Sequence, residues 1–272
     1  MIGDDVMMKK YMLFLGTLLL IEIFLIVCGN REQKQNNLNA KTPSISKEPT
    51  SPDISNESSS EVLNAYYKTL QSAKNKEEVY QFIEWKIESV KPSDADAMVN
   101  GLFDYIGNLH EVDFKRLAKL TGFMSEEMRN FVTYLSRWQE KPAATAEGIA
   151  IPLAAILERS HVLENLIELY PNGLTYRYTY ELYADYLSIA VTGQYAKESG
   201  IKNYYMNPEN QKISTGALSA YQAFVKKYPD TKTASVVNKY IKVLRKNKNK
   251  VNDQVEEFYI TIYAEIRDAF DM

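Results

Sequence analysis

The stretch ALSAYQAFVKKYPDTKTASVVNKYIKVL, residues 217–244, decides the fold. Its first half places Leu218, Tyr221, Phe224, Val225 and Tyr228 three or four residues apart. That spacing lines apolar side chains along one face of an α-helix. Pro229 and Asp230 then interrupt it, because proline lacks the backbone donor and clashes with the preceding turn. The second half restarts the same period with Val236, Val237, Tyr240, Ile241 and Leu244. Neither helix can bury its stripe alone, so the two must pack on each other or on neighbours.

Outward from this hairpin the helical period holds almost everywhere. Leu63, Tyr66, Tyr67 and Leu70 form the first stripe. Asn75, with Glu78 three residues later, predicts a capped start for a helix burying Val79, Phe82, Ile83, Ile87 and Val90. Pro92 is expected to stop that helix and Ser93 to cap the next, which carries Ala95, Val99, Leu102, Ile106 and Leu109. A short helix over Phe114, Leu117 and Ala118 ends near Gly122. Ser125, followed by Glu126 and Glu127 where the helix dipole favours negative charge, opens another through Leu135, closed by Pro142. Pro152 fits the first turn of a helix running to Tyr170, before the turn Pro171-Asn172-Gly173. Tyr176 to Tyr180 alternate with period two and would suit a strand, but the pattern from Leu182 to Ala190 favours helix throughout, with Gly193 as its stop. Val255, Phe258, Tyr259, Ile262, Ile266 and Phe270 mark the last helix.

The expectation is an all-α domain over residues 61–272, with nine or ten helices in an antiparallel bundle or an irregular helical-repeat array. Residues 142–150 are the natural joint between two helical lobes. Residues 194–211 form the longest stretch without helical period, and loops of that length are functional or mobile.

The phrase from Ala217 to Asp230 resembles the helical hairpin of tetratricopeptide-like repeats in bacterial envelope proteins, in which an Ala-x-x-Ala-Tyr-x-x-Phe helix ends in Tyr-Pro-Asp. The likeness covers this one hairpin, and no second copy stands at the period of about 34 expected of such repeats. It implies a helical hairpin and, by analogy of fold alone, protein partners.

At the other end of the chain, Lys9 and Lys10 precede an apolar run from Tyr11 to Val27, broken by Gly16, Thr17 and Glu22 and followed by Cys28. A basic segment before an apolar core of this length is an export signal. Leu25, Ile26, Val27 and Cys28 resemble the lipobox of bacterial lipoproteins, with Val27 where that family carries Gly, Ala or Ser. The resemblance implies thioether lipidation of Cys28, cleavage before it, and a domain held at the outer face of the cell membrane. An uncleaved anchor helix is the rival reading. It is slightly short of the roughly 20 residues a span needs, and Glu22 would cost about 3 kcal/mol within the hydrocarbon. An ordinary signal with an incidental cysteine is the third. Residues 29–60, rich in Asn, Gln, Ser and Lys with Pro43, Pro49 and Pro52, lack aromatics and read as a disordered tether.

Composition excludes several function classes. A net charge of −3 gives no basic footprint for nucleic acid. One cysteine allows no disulfide framework or thiolate metal site. The two histidines, His110 and His161, lack a metal-type pattern, and with 11 glycines no phosphate-cradling loop or dinucleotide fingerprint occurs. No catalytic residue, metal or cofactor is therefore assigned. Glu77-Glu78, Glu126-Glu127 and Glu256-Glu257 read as solvated helix surface, and the basic run Lys242–Lys250 as a helix end.

The chain has 20 tyrosines. Tyr176, Tyr178, Tyr180 and Tyr183, with Tyr204 and Tyr205, are the candidate binding surface, since aromatics with a polar tip are enriched at interfaces. Packing of the same rings in the core is the alternative. The functional expectation is a non-catalytic binding or scaffolding module with a protein or cell-wall partner. An envelope enzyme of glycan-hydrolase type would need two carboxylates facing one cleft, roughly 5–9.5 Å apart. A solute-binding lipoprotein is disfavoured, because strands and helices do not alternate.

Overall fold

A computed structural model describes residues 58–270, which lie within a compact unit, Glu57–Met272. Tyr11–Val27, Cys28 and residues 29–57 fall outside the described residues. Eleven α-helices are present among them, with one two-stranded hairpin. They are α1 (Ser59–Ser72), α2 (Lys76–Lys86), α3 (Pro92–Ile106), α4 (Phe114–Ala118), α5 (Glu126–Gln139), α6 (Leu153–Leu169), α7 (Tyr176–Thr192), α8 (Thr215–Lys227), α9 (Lys232–Lys246), α10 (Asp253–Ile260) and α11 (Ile262–Ala269).

The starts of these helices follow from their caps. Ser58 and Glu61 form a reciprocal capping box on α1. The side chains of Asn75, Ser125, Ser214, Thr231 and Asn252 each accept from a backbone N–H in the first turn of the helix that follows. Ser93 is not a cap: α3 begins one residue earlier, at Pro92, whose missing N–H is harmless there. Pro152 likewise stands at the cap position of α6, not inside it.

The last helix is two helices. Thr261 leaves helical geometry, and its hydroxyl donates to the carbonyls of Glu257 and Phe258. Such back-bonding offers the backbone an alternative to the helix ladder, so the apolar stripe continues while the backbone breaks. Residues 142–150 contain a tight hairpin, β1 (Ala144–Thr145) antiparallel to β2 (Gly148–Ile149). The basic run is helical only as far as Lys246. Lys248 and Asn249 take left-handed backbone, and Lys250 pairs with Lys212.

One apolar core runs from Val62 to Ile266. At its beginning α1 and α3 lie alongside each other. Ser59 donates to Asp94 near their starts, and the Tyr105 hydroxyl donates to the Ala73 carbonyl, at 3.1 Å, near their ends. Pairing between α6 and α7 is the most extensive. The hairpin read at 217–244 is present as α8 and α9, packed on α6.

Two glutamates bind these layers together. Glu164, on α6 and 1% exposed, accepts from the N–H groups of Lys232 and Thr233 and from the Thr233 hydroxyl at the start of α9. Glu127, expected on solvated surface, instead accepts from the N–H and hydroxyl of Thr175 at the start of α7, both at 2.7 Å. A carboxylate suits both places because helix N-termini present free N–H groups and positive dipole ends. Sequence period cannot reveal such pairings, which join residues 48 and 69 positions apart.

Candidate binding groove

The long loop between α7 and α8 is held in place rather than loose. Gly193 ends α7 in left-handed backbone at φ +55°, and its carbonyl accepts from the Tyr204 N–H at 2.9 Å. A β-carbon on Gly193 would stand 2.5 Å from Asn203 Oδ1 and 2.7 Å from the Tyr204 nitrogen, so glycine is required twice over. Asn203 is buried. It donates to the Val191 carbonyl and the Tyr259 hydroxyl, and accepts from the Tyr205 N–H at 2.7 Å. The loop also bonds to the segment after α9, through Ile213 N–H to the Asn249 carbonyl and Val251 N–H to the Gln211 carbonyl.

This anchorage sets Tyr204 against the β1–β2 hairpin, with its ring 3.6 Å from where a β-carbon on Gly148 would lie. Between Tyr204, the extended segment before α6 and the start of α8 opens a groove of about 430 Å³. Ile151 and Pro152 line one side, Tyr204 and Tyr205 stand at another, and Ser214 and Ala217 come from the start of α8. Small residues on α8 keep the groove open. Its lining carries no charged side chain, so it suits an apolar or aromatic group with few polar atoms.

The six tyrosines do not form one surface. Tyr183 is fully buried and lies edge-on to Phe270. Tyr178 is buried edge-on to Phe103, and its hydroxyl donates to Asp104 at 2.7 Å. Tyr176 and Tyr180 are half-buried, Tyr180 against Phe270. The reason is the helix itself: at about 3.6 residues per turn, Tyr178 points to a different neighbour than Tyr176, Tyr180 and Tyr183. Only Tyr204 and Tyr205 come together at the groove, their rings at 88° and 5.9 Å apart. Tyr204 is 59% exposed and Tyr205 8%. The Tyr205 hydroxyl is buried without a hydrogen-bond partner among the described residues, and burial pushes its ionisation up.

Other candidate groups lie elsewhere. His110 sits exposed in a single 3-10 turn. His161, on α6, lies against Tyr228 with ring centroids 4.1 Å apart and the planes tilted by 35°. Among the described residues no three His, Cys, Asp or Glu side chains are placed to hold a metal ion, and no helix is long and apolar enough to cross a membrane.

One carboxylate pair does stand out. Glu181 and Asp185 occupy the solvent-facing stripe of α7. One turn apart, they have β-carbons about 5–6 Å from each other. Asp185 accepts from the Tyr263 hydroxyl at 3.1 Å. It keeps an exposed face, yet α7 and the chain packed around it withdraw enough water to push it up to about 6, against the lowering effect of Tyr263. Glu181 is raised by the same cause. Neither lines the groove. The periodicity of α7 shows which positions face solvent, but not that Tyr263 would arrive from α11.

No protein-family model matches the chain, and neither a curated protein nor a solved structure matches it.

Proposed function

We propose that the chain is a membrane-anchored, extracytoplasmic lipoprotein whose helical domain is a non-catalytic binding or scaffolding module. Anchoring is read from Lys9, Lys10, the apolar run Tyr11–Val27 and Cys28. The observation carrying the binding role is the uncharged, open groove beside Tyr204, held by a rigidly tied loop. Exposed aromatic rings beside such openings are typical anchors for a partner's apolar groups, and the partner class is a protein or a cell-wall component.

Two measurements test the parts separately. The intact mass of the N-terminal peptide from the membrane fraction should carry a diacylglyceryl group on Cys28, absent in Cys28→Ala. A peptide continuous through Val27 and Cys28 without lipid would replace lipidation by an anchor helix. A photo-crosslinking amino acid at position 204 should yield a specific adduct on intact cells, and the same probe at exposed Lys226 should not. Equal labelling from both positions would defeat the groove.

A second reading, an envelope hydrolase, needs two carboxylates facing one cleft; Glu181 and Asp185 stand together with raised acidities, but on the open stripe of α7 and outside the groove. Release of soluble fragments from cell-wall glycan, abolished by Asp185→Asn with the groove intact, would favour it over the first.

A further inference from the structure

A ladder of aromatic rings crosses the α1–α2 hairpin. Tyr67 tilts against Tyr66 at 5.8 Å, Tyr66 meets Phe82 at 5.8 Å, and Phe82 meets Trp85 edge-on at 6.2 Å. Tyr66 is sealed in the core, but Tyr67 is 46% exposed and Trp85 69%, the most exposed large apolar side chain among the described residues. This hairpin is the first among the described residues, and its outer side carries indole and phenol where surface helices ordinarily present polar groups.

The chemistry of the edge narrows what covers it. Lys86 Nζ stands 3.9 Å from the Trp85 ring, and Lys68 is exposed next to Tyr67. Exposed Glu61 on α1, Glu84 on α2 and Glu88 in the 3-10 turn after it outnumber these two lysines, so no cationic patch forms. Trp and Tyr beside Lys, with half-buried Leu63 and Leu70 flanking Tyr67 on its own helix face, is the composition found where a ring sits across the lipid–water boundary. Position agrees. Only residues 29–57 separate Cys28 from the cap of α1. The α1–α2 hairpin is thus the part of the domain joined directly to the anchor.

We propose that this edge rests on the headgroup layer of the membrane that holds the N-terminus, with Trp85 and Tyr67 inserted at its boundary. The inference rests on the anchored reading above and adds an orientation to it. Without a cationic patch the contact is one of ring insertion and gains nothing from anionic lipid.

The chain has two tryptophans, Trp85 and half-buried Trp138, so fluorescence reports the contact. Full-length protein, wild type and Trp85→Phe, is reconstituted in phosphatidylcholine vesicles with and without lipids brominated near the headgroup. Wild-type emission should be quenched and blue-shifted on the vesicles, and Trp85→Phe should lose that quenched component. Tyr67→Ser with Trp85 in place should weaken vesicle affinity of the unacylated chain, residues 29–272, by about tenfold. Protein that floats with vesicles while Trp85 emits as in water and escapes quenching overturns the inference but leaves the anchor. Protein that does not float overturns both. A Trp85 blue shift that grows with protein concentration without lipid assigns the edge to a second copy of the chain, and also overturns it.

Discussion

In α7, Tyr176, Tyr178, Tyr180 and Tyr183 stand on a regular helix, whereas Tyr204 and Tyr205 stand side by side in the loop that follows. The helical set is divided among neighbours by the 3.6-residue period: Tyr178 meets Phe103 on α3, whereas Tyr180 and Tyr183 meet Phe270 after α11. The loop pair is placed by hydrogen bonds to Gly193 and Asn203, so adjacent rings can share one opening. The same residue type therefore serves the core where the backbone is periodic, and can serve a surface where polar anchors hold the backbone irregular.

The largest effect should come from Tyr183, which is fully buried. Tyr183→Ala should cost about 4 kcal/mol, as large aromatic truncations in a sealed core do. Urea unfolding followed by circular dichroism measures it. Tyr204→Ala under the same conditions should change stability by no more than about 0.5 kcal/mol, because surface positions without special roles contribute little. Comparable losses at both positions would erase the distinction between the two sets.

Gly193→Ala attacks the loop where it is anchored. A β-carbon there meets Asn203 and the Tyr204 nitrogen below contact distance, on left-handed backbone. A cost of about 2 kcal/mol is expected, with faster hydrogen exchange at the Tyr204 and Tyr205 amides and unchanged exchange within α7. Exchange that rises equally in α7 would mean that loop and helix open as one unit.

The division between these regions also marks what could be read in advance. Helices, most caps and the 217–244 hairpin follow from apolar spacing and local hydrogen-bonding residues, which are properties of neighbouring positions. The break at Thr261 was hidden because the stripe through Phe258, Ile262 and Ile266 continues across it. The groove was legible only in part. Residues 194–211 stood out as non-periodic, and Tyr204 and Tyr205 were visible within it. What places them, Asn203 reaching Val191 and Tyr259, depends on residues up to 56 positions away. Glu127 and Glu164 were illegible for the same reason.

Tyr205→Phe sharpens the comparison within the loop pair. The buried hydroxyl has no partner among the described residues, so deleting it should stabilise the protein by about 1 kcal/mol, the lower end of the cost of an unsatisfied buried polar group. Tyr221→Phe provides the contrast, since its hydroxyl donates to the Ala190 carbonyl at 2.6 Å. It should destabilise by about 1 kcal/mol. A destabilising Tyr205→Phe would show that the hydroxyl is satisfied in solution, by water or by a ligand in the groove.

The smallest effect concerns the solvent stripe of α7, where Asp185 tests whether the helix carries chemistry besides its buried rings. Its acidity is pushed up to about 6 from an ordinary 3.8, so the folded state favours the protonated form more than the unfolded chain does. The associated stability is present below pH 4 and is lost as pH rises through about 6. Asp185→Asn removes this dependence and keeps an oxygen for the Tyr263 hydroxyl. The variant should therefore gain on the wild type between pH 4 and 6 and hold a constant lead at neutral pH. That lead should be about 1 kcal/mol or less, since water screens the exposed face of the carboxyl. Urea midpoints at pH 4, 5, 6 and 7 for both proteins measure it. A lead that shrinks with rising pH would mean that the ionised carboxylate is favoured by Tyr263 more than it is penalised by its surroundings, and α7 would then present Asp185 as an ordinary surface acid.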